Sequence, residues 1–262
     1  MKIWIQSATG MGADPIWKDY EESVKKNAKR VARPDTEITW SGVKIMTPAL
    51  ERHYYFQLLT KPQMIENAIA AEKKGYDIVC VSCMLDLGRD EIRELLQIPS
   101  VYNGESAFLM ACTLGQKFSL ISQNPNLLEM MNRNVAKYGL ERRATAPQSL
   151  DTTLEDLAES FKDPKKVARI SEAFRKAARK AAEAGAEVLV PACNVLNMFC
   201  VENGIKEVEG ITVLDSLSVM VKTAEMMVDL KKEIGLSVSR RYSFCRPDKE
   251  ILRAVRKSHN LA

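Results

Sequence analysis

Two stretches decide how this chain is read: Gly75-Tyr-Asp-Ile-Val-Cys-Val-Ser-Cys83 and Gly185-Ala-Glu-Val-Leu-Val-Pro-Ala-Cys193. Each opens on a glycine behind an Ala/Lys/Glu-rich segment, where glycine is a common helix stop. Each passes an acidic residue, runs through aliphatic residues suited to a buried strand, and ends in cysteine eight residues after its glycine. Each also has a matching earlier strand, Lys2-Ile-Trp-Ile-Gln-Ser7 and Lys117-Phe-Ser-Leu-Ile-Ser122, and the serine-to-cysteine separations are 76 and 71 residues. Four features in register imply an internal repeat of two similar lobes.

Working outward, β-rich runs at Lys2–Gln6, Thr36–Val43, Asp77–Val81, Ser100–Tyr102, Lys117–Ile121, Glu187–Val190 and Ile211–Leu214 alternate with amphipathic segments. That alternation predicts an α/β fold with mainly parallel sheets flanked by helices. In Pro164–Ala184 the residues Val167, Ile170, Phe174, Ala177 and Ala181 recur at helical spacing, behind Asp163 as cap and Pro164 at the first helical position. Asn124-Pro125 opens a second helix in the same way. The expected lobes are residues 1–115 plus 216–262, and residues 116–215, related by a pseudo-two-fold. Ligands of parallel α/β sheets bind beyond the carboxyl ends of the strands. Ser7, Ser122, Cys83 and Cys193 fall at such ends, so the lobes would present two thiols to one cleft from opposite sides.

Of the 262 residues 46% are hydrophobic, and the longest run without a charge, Val188–Val201, has 14 residues, against the roughly 20 that a membrane span needs. The start, MKIWIQSATGMGADP, does not read as a signal peptide, because its apolar stretch is short and Asp14 interrupts it. With six cysteines, this leads us to expect a cytoplasmic protein with free thiols. The net charge of +4 is uneven: residues from Lys231 onward carry +6 and the remainder −2. A basic tail on a near-neutral body reads as a solvated surface, so no nucleic-acid or membrane partner is expected.

Most cysteines at strand ends are small buried hydrophobes, and Cys80, Cys112, Cys200 and Cys245 are read so. Cys83 and Cys193 differ because they hold equivalent places in the repeat and precede segments that turn out of the strand. Backbone N–H groups there would lower a thiol's pKa toward the working range. Cys80-x-x-Cys83 lies mostly within a strand, no second such motif exists, and His53 and His259 are distant in sequence, so no metal site is expected. Gly10-Met-Gly12 lacks the third glycine of a dinucleotide loop and reads instead as a tight turn, with Asp14 as the cap of a helix opened by Pro15. No G-x-S-x-G motif supports a serine triad. His53, after the second strand, could touch substrate from a loop.

At these residues the chain resembles the aspartate/glutamate/hydantoin racemase superfamily, most nearly its hydantoin racemase branch. The carrying segments are Tyr76–Gly88 with Glu91–Pro99, Gly104-Glu-Ser-Ala107 with Leu114–Ser119, and Gly185–Asn194 with Ile211–Ser216. The resemblance implies a cofactor-independent isomerase in which Cys83 and Cys193 form the acid/base pair. It further implies that backbone amides at Met84 and Asn194 and hydroxyls at Ser7 and Ser122 bind substrate. The expected activity is racemisation of a small carbon acid, a 5-substituted hydantoin or related cyclic amide; the expected partners are that small-molecule substrate and further copies of the chain in a homo-oligomer. The alternatives are a cysteine-dependent isomerase, lyase or hydrolase on the same scaffold, maleate-isomerase-like or opening or desulfurising a hydantoin-like ring, and a non-catalytic binding protein. Departures include Gln6-Ser-Ala-Thr9 in place of an Asn-Pro-Asn-Thr loop, Leu87 in place of proline, and Asn194 after the second cysteine.

Overall fold

The computed structural model describes residues 1–261; Ala262, the last residue of the expected first lobe, lies outside the described residues. The first half of the chain runs β1 (Lys2–Gln6), α1 (Lys18–Val31), β2 (Glu37–Ser41), α2 (Tyr54–Lys73), β3 (Ile78–Val81), α3 (Arg89–Leu95), β4 (Ser100–Tyr102) and α4 (Asn103–Leu114). Its strands form one parallel sheet in the order β2-β1-β3-β4. The second half runs β5 (Phe118–Ser122), α5 (Pro125–Lys137), β6 (Gln148–Ser149), α6 (Leu154–Glu159), α7 (Pro164–Glu183), β7 (Val188–Pro191), α8 (Asn194–Glu202), β8 (Glu207–Val208) and β9 (Ile211–Val213). These strands form a second sheet, β6-β5-β7-β9-β8, parallel except for the β8–β9 pair. The result is two α/β lobes with mainly parallel sheets flanked by helices.

Every residue of β3 and of β7 is buried, as continuous aliphatic strands covered on both faces should be. Pro191 is tolerated in β7 because it lies past Leu189, the last residue paired to β9, where a missing N–H costs no ladder bond. Asp163 accepts from the Lys165 N–H at 2.9 Å and Asn124 from the Leu127 N–H at 2.9 Å, capping α7 and α5. The strand expected over Thr36–Val43 is confined to β2, and the two-residue strands β6 and β8 have no counterpart in the sequence reading, since two residues carry no periodicity.

Beyond β9, α9 (Ser216–Ile234) packs on α4, α1, β3 and β4 of the first sheet. Glu225 on α9 is buried and accepts from the Arg33 N–H at 2.7 Å and the Thr36 hydroxyl at 2.8 Å. The basic tail is not merely solvated. Arg240 donates to the carbonyls of Arg93, Glu94 and Leu96, and Arg246 to that of Leu95, which satisfies the carboxyl end of α3. In α10 (Lys249–Ser258), Arg256 pairs in bidentate fashion with Glu66 of α2, both contacts 2.7 Å. No helix among the described residues is long and apolar enough to cross a membrane.

Candidate active site

The carboxyl ends of β1, β3, β5 and β7 converge on one cavity of about 100 Å³. Ser7, Cys83 and Met84 line it from the first lobe, and Cys193 and Asn194 from the second. The parallel ladders carry the chain to these points. The Ser82 N–H reaches the Gln6 carbonyl at 2.8 Å just before Cys83, and the Ala192 N–H reaches the Ile121 carbonyl at 2.7 Å just before Cys193.

The turn after Cys83 is held by Asp86, a buried residue with φ of +51°. Its carboxylate accepts from the backbone N–H groups of Gly104 (2.8 Å) and Glu105 (2.7 Å) and from the Tyr138 hydroxyl (2.6 Å). Burial pushes this carboxyl up to about 7, against those donors. Gly104 is required by close approach: a Cβ there would sit 2.4 Å from the Met84 carbonyl oxygen. Gly88, at φ +75°, then starts α3 from the left-handed region.

Cys193 occupies the N-cap position of α8. Its thiol is pushed up by burial, opposed by the N–H groups of Leu196 and Val195 and by the Gln123 amide, while the Glu51 carboxylate raises it further. Burial pushes Cys83 up to about 12, opposed by the Leu85 N–H and reinforced by Asp86 and Cys193. The expected lowering of both thiols is therefore present only as an opposing effect. Desolvation of the anion inside the site outweighs it.

Two expected residues lie elsewhere. Ser122 is fully buried behind the cavity, and its hydroxyl lies 2.9 Å from Gln123 Oε1. His53 is exposed ahead of α2, stacked edgewise on Phe56, and is not among the cavity-lining residues. Sequence reasoning missed Gln123, Glu51 and Tyr20, all on the lining. Gln123 was within reach, as the residue following the repeated serine. Tyr20 is buried, and its hydroxyl accepts from Asn194 Nδ2 at 3.0 Å. The same nitrogen donates to Ser82 at 3.0 Å, which locks the Asn194 side chain.

Gly12, at φ +77°, gives its N–H to the Glu21 carboxylate at 2.8 Å, where a nucleotide loop would offer it to phosphate. Asp14 caps the short turn Pro15–Trp17. All six cysteines are free, and no cluster of metal-ligating residues occurs among the described residues.

Paired α/β lobes with a small cavity at their facing strand ends define a class, and comparison with known proteins names it. The Asp/Glu/hydantoin racemase model matches residues 18–224. The chain belongs to the Asp/Glu/hydantoin racemase family and is a racemase of that family. It is 29% identical over 212 residues to a hydantoin racemase of Pseudomonas sp. (strain NS671), covering 81% of this chain and 82% of that one. Its fold is shared by allantoin racemase from Klebsiella pneumoniae, with a TM-score of 0.77 and 23% identity over 95% of this chain and 94% of that one. Allantoin racemase from Pseudomonas fluorescens matches with a TM-score of 0.78 and 23% identity, over 94% and 97%.

Proposed function

We propose that this protein racemises a small uncharged carbon acid, a 5-substituted hydantoin or related cyclic amide, with Cys83 and Cys193 as base and acid on opposite faces. The observation that carries this reading is the cavity lining. Two thiols from different lobes share it with one carboxylate, Glu51, and otherwise with hydroxyl, amide and apolar groups. A dicarboxylate or malonate would bring further negative charge against Glu51, whereas a ring N–H would be a hydrogen-bond donor to it. One thiolate takes the proton from the ring carbon and becomes a thiol, and the opposite thiol gives its proton to the other face and becomes a thiolate. The backbone amides after each cysteine, at Met84 and Asn194, with the Ser7 hydroxyl, supply donors for the developing enolate oxygen.

The hydantoin racemase and allantoin racemase relatives support the substrate class, and the six free thiols suit a reducing, cytoplasmic setting. The reading needs no cofactor. It takes the lobes as residues 1–115 plus 216–262 and 116–215, which the two separate sheets and the return of α9 to the first sheet support. The test is proton exchange in heavy water with enantiopure 5-benzylhydantoin, alongside glutamate and phenylmalonate. Exchange with inversion for the hydantoin alone is expected. Turnover of glutamate or phenylmalonate in preference to the hydantoin would overturn the substrate class, and conversion without exchange would point to a covalent cysteine.

A further inference from the structure

Each cysteine is followed by a segment that the opposite lobe holds. After Cys193, the Asn194 amide donates to Tyr20 of α1 and to Ser82 beyond β3, both at 3.0 Å. After Cys83, a turn closes on the bond from the Asp86 N–H to the Cys83 carbonyl at 3.0 Å, and α5 of the second lobe reaches across to it. The Tyr138 hydroxyl, at the carboxyl end of α5, donates to Asp86 Oδ2 at 2.6 Å, and Asn134 Nδ2 donates to the Leu85 carbonyl at 3.0 Å. These partners stand 52 and 49 residues apart in the chain, so both bonds are made only when the lobes come together. The tyrosine ring is itself gripped, with the Arg89 guanidinium over it at 4.9 Å and Phe108 flanking it at 6.2 Å. Cys83, Met84 and Leu85 line the cavity, whereas Asp86, Asn134 and Tyr138 do not.

We propose that Tyr138 is a positioning residue, with Asn134 beside it, through which the second lobe sets where the first lobe's thiol, Cys83, stands in the cleft. The proposal rests on the acid/base reading of the two thiols. The Gly104 and Glu105 N–H groups fix Asp86 to α4 and so place the turn within its own lobe. They leave its distance from the second lobe open, and the Tyr138 and Asn134 bonds close it. Proton transfer needs the reacting atoms about 3–3.5 Å apart. A carbon held between thiols of different lobes meets that condition on both faces only if the lobes are tied near the thiols. A third cross-lobe contact, Lys137 with Asp90, serves as contrast: it joins α5 to α3 rather than to the turn, and both side chains are about half exposed, where ion pairs contribute little.

Deuterium uptake by each enantiomer of 5-benzylhydantoin, measured in single-thiol parents, tests this. Cys193→Ser leaves Cys83 to exchange the proton on its own face, and Cys83→Ser leaves Cys193. Adding Tyr138→Phe to Cys193→Ser should slow exchange about tenfold, through kcat rather than KM, because a misplaced base loses rate at the reacting carbon. Adding it to Cys83→Ser should leave exchange within about twofold, whereas a merely structural role would lower both. Asn134→Leu should act on the same face as Tyr138→Phe and decides the matter should the latter fail to fold. Lys137→Met should change neither face. Without substrate, iodoacetamide labelling read by peptide mass spectrometry should be faster at Cys83 in Tyr138→Phe as its turn loosens, with Cys193 and exposed Cys245 unchanged. Equal loss of exchange on both faces, or unchanged exchange and labelling at Cys83 in the folded variants, would overturn the proposal. No exchange by either parent, with the labelling difference intact, would instead remove the acid/base reading and leave the cross-lobe positioning of Cys83 standing.

Discussion

Replacing Gly104 by alanine should damage the site although Gly104 does not itself line the cavity. The added Cβ would lie 2.4 Å from the Met84 carbonyl oxygen and 2.7 Å from Asp86 Oδ2, about 1 Å inside ordinary heavy-atom contact. The nearer obstacle is backbone, so no rotamer change relieves it, and either α4 or the turn after Cys83 must shift. Overpacking of this kind costs about 1–3 kcal/mol. The shift also loosens the two bonds from the Gly104 and Glu105 N–H groups to Asp86, each worth about 1.5–3 kcal/mol when the acceptor is charged. Partial loss of both brings the total to about 3–5 kcal/mol. At about 2–4 °C per kcal/mol for a chain of this size, Tm should fall by about 6–20 °C. Differential scanning calorimetry gives Tm, and alkylation of Cys83 reports whether its turn has moved. A Gly104→Ala protein that melts within 2 °C of wild type, with Cys83 labelled at an unchanged rate, would refute the reasoning that Asp86 and Gly104 together hold that turn.

Cys83→Ser and Cys193→Ser should each abolish racemisation, with each variant retaining proton exchange for one enantiomer and the two preferring opposite hands; racemisation at wild-type rate in either would make that cysteine structural. Because burial raises both thiols and the reaction needs one as thiolate, kcat/KM should climb from pH 6 to 9, and a profile falling over that range would exclude a thiolate base. His53→Ala should leave kcat/KM within about threefold, since the ring is exposed and away from the cavity-lining residues. Arg240→Ala strips donors from four carbonyls, three of them on the last turn of α3 and just beyond it; it should lower stability by about 1–3 kcal/mol in urea denaturation while preserving turnover.

The features legible in the sequence were those that spacing and hydropathy encode. The glycine-to-cysteine repeat located the ends of β3 and β7, and the buried runs around Cys80 and Leu189 marked these as interior strands. Asp14, Asn124 and Asp163 announced their turns and helices through the proline that follows each. What escaped depends on side-chain direction and long-range closure. Nothing in the spacing of Ser122 says that its hydroxyl turns away from the cleft toward Gln123, although its repeat partner Ser7 faces the cavity. Glu51 reaches the site from the loop between β2 and α2, and Tyr20 from the first turn of α1. The roles of Asp86 and of the arginines in the tail depend on contacts with segments distant in sequence, 18 residues away for Gly104 and 147 for Arg93 from Arg240. Desolvation of the half-buried thiols, which outweighs their N–H donors, is likewise a property of the assembled cavity rather than of any motif.

Ala8 of one lobe and Gln123 of the other both line the cavity, and this asymmetry has a kinetic consequence fixed by thermodynamics. The two enantiomers of a substrate with one stereocentre have equal free energy, so their interconversion has an equilibrium constant of one. The Haldane relation then requires equal kcat/KM in the two directions, however unequal the thiols. An amide on one face only can therefore never make the enzyme favour one hand at equilibrium. It can only set the two kcat values apart by the same ratio as the two KM values, so that the asymmetry of the protein is visible in saturation behaviour and silent in the final mixture.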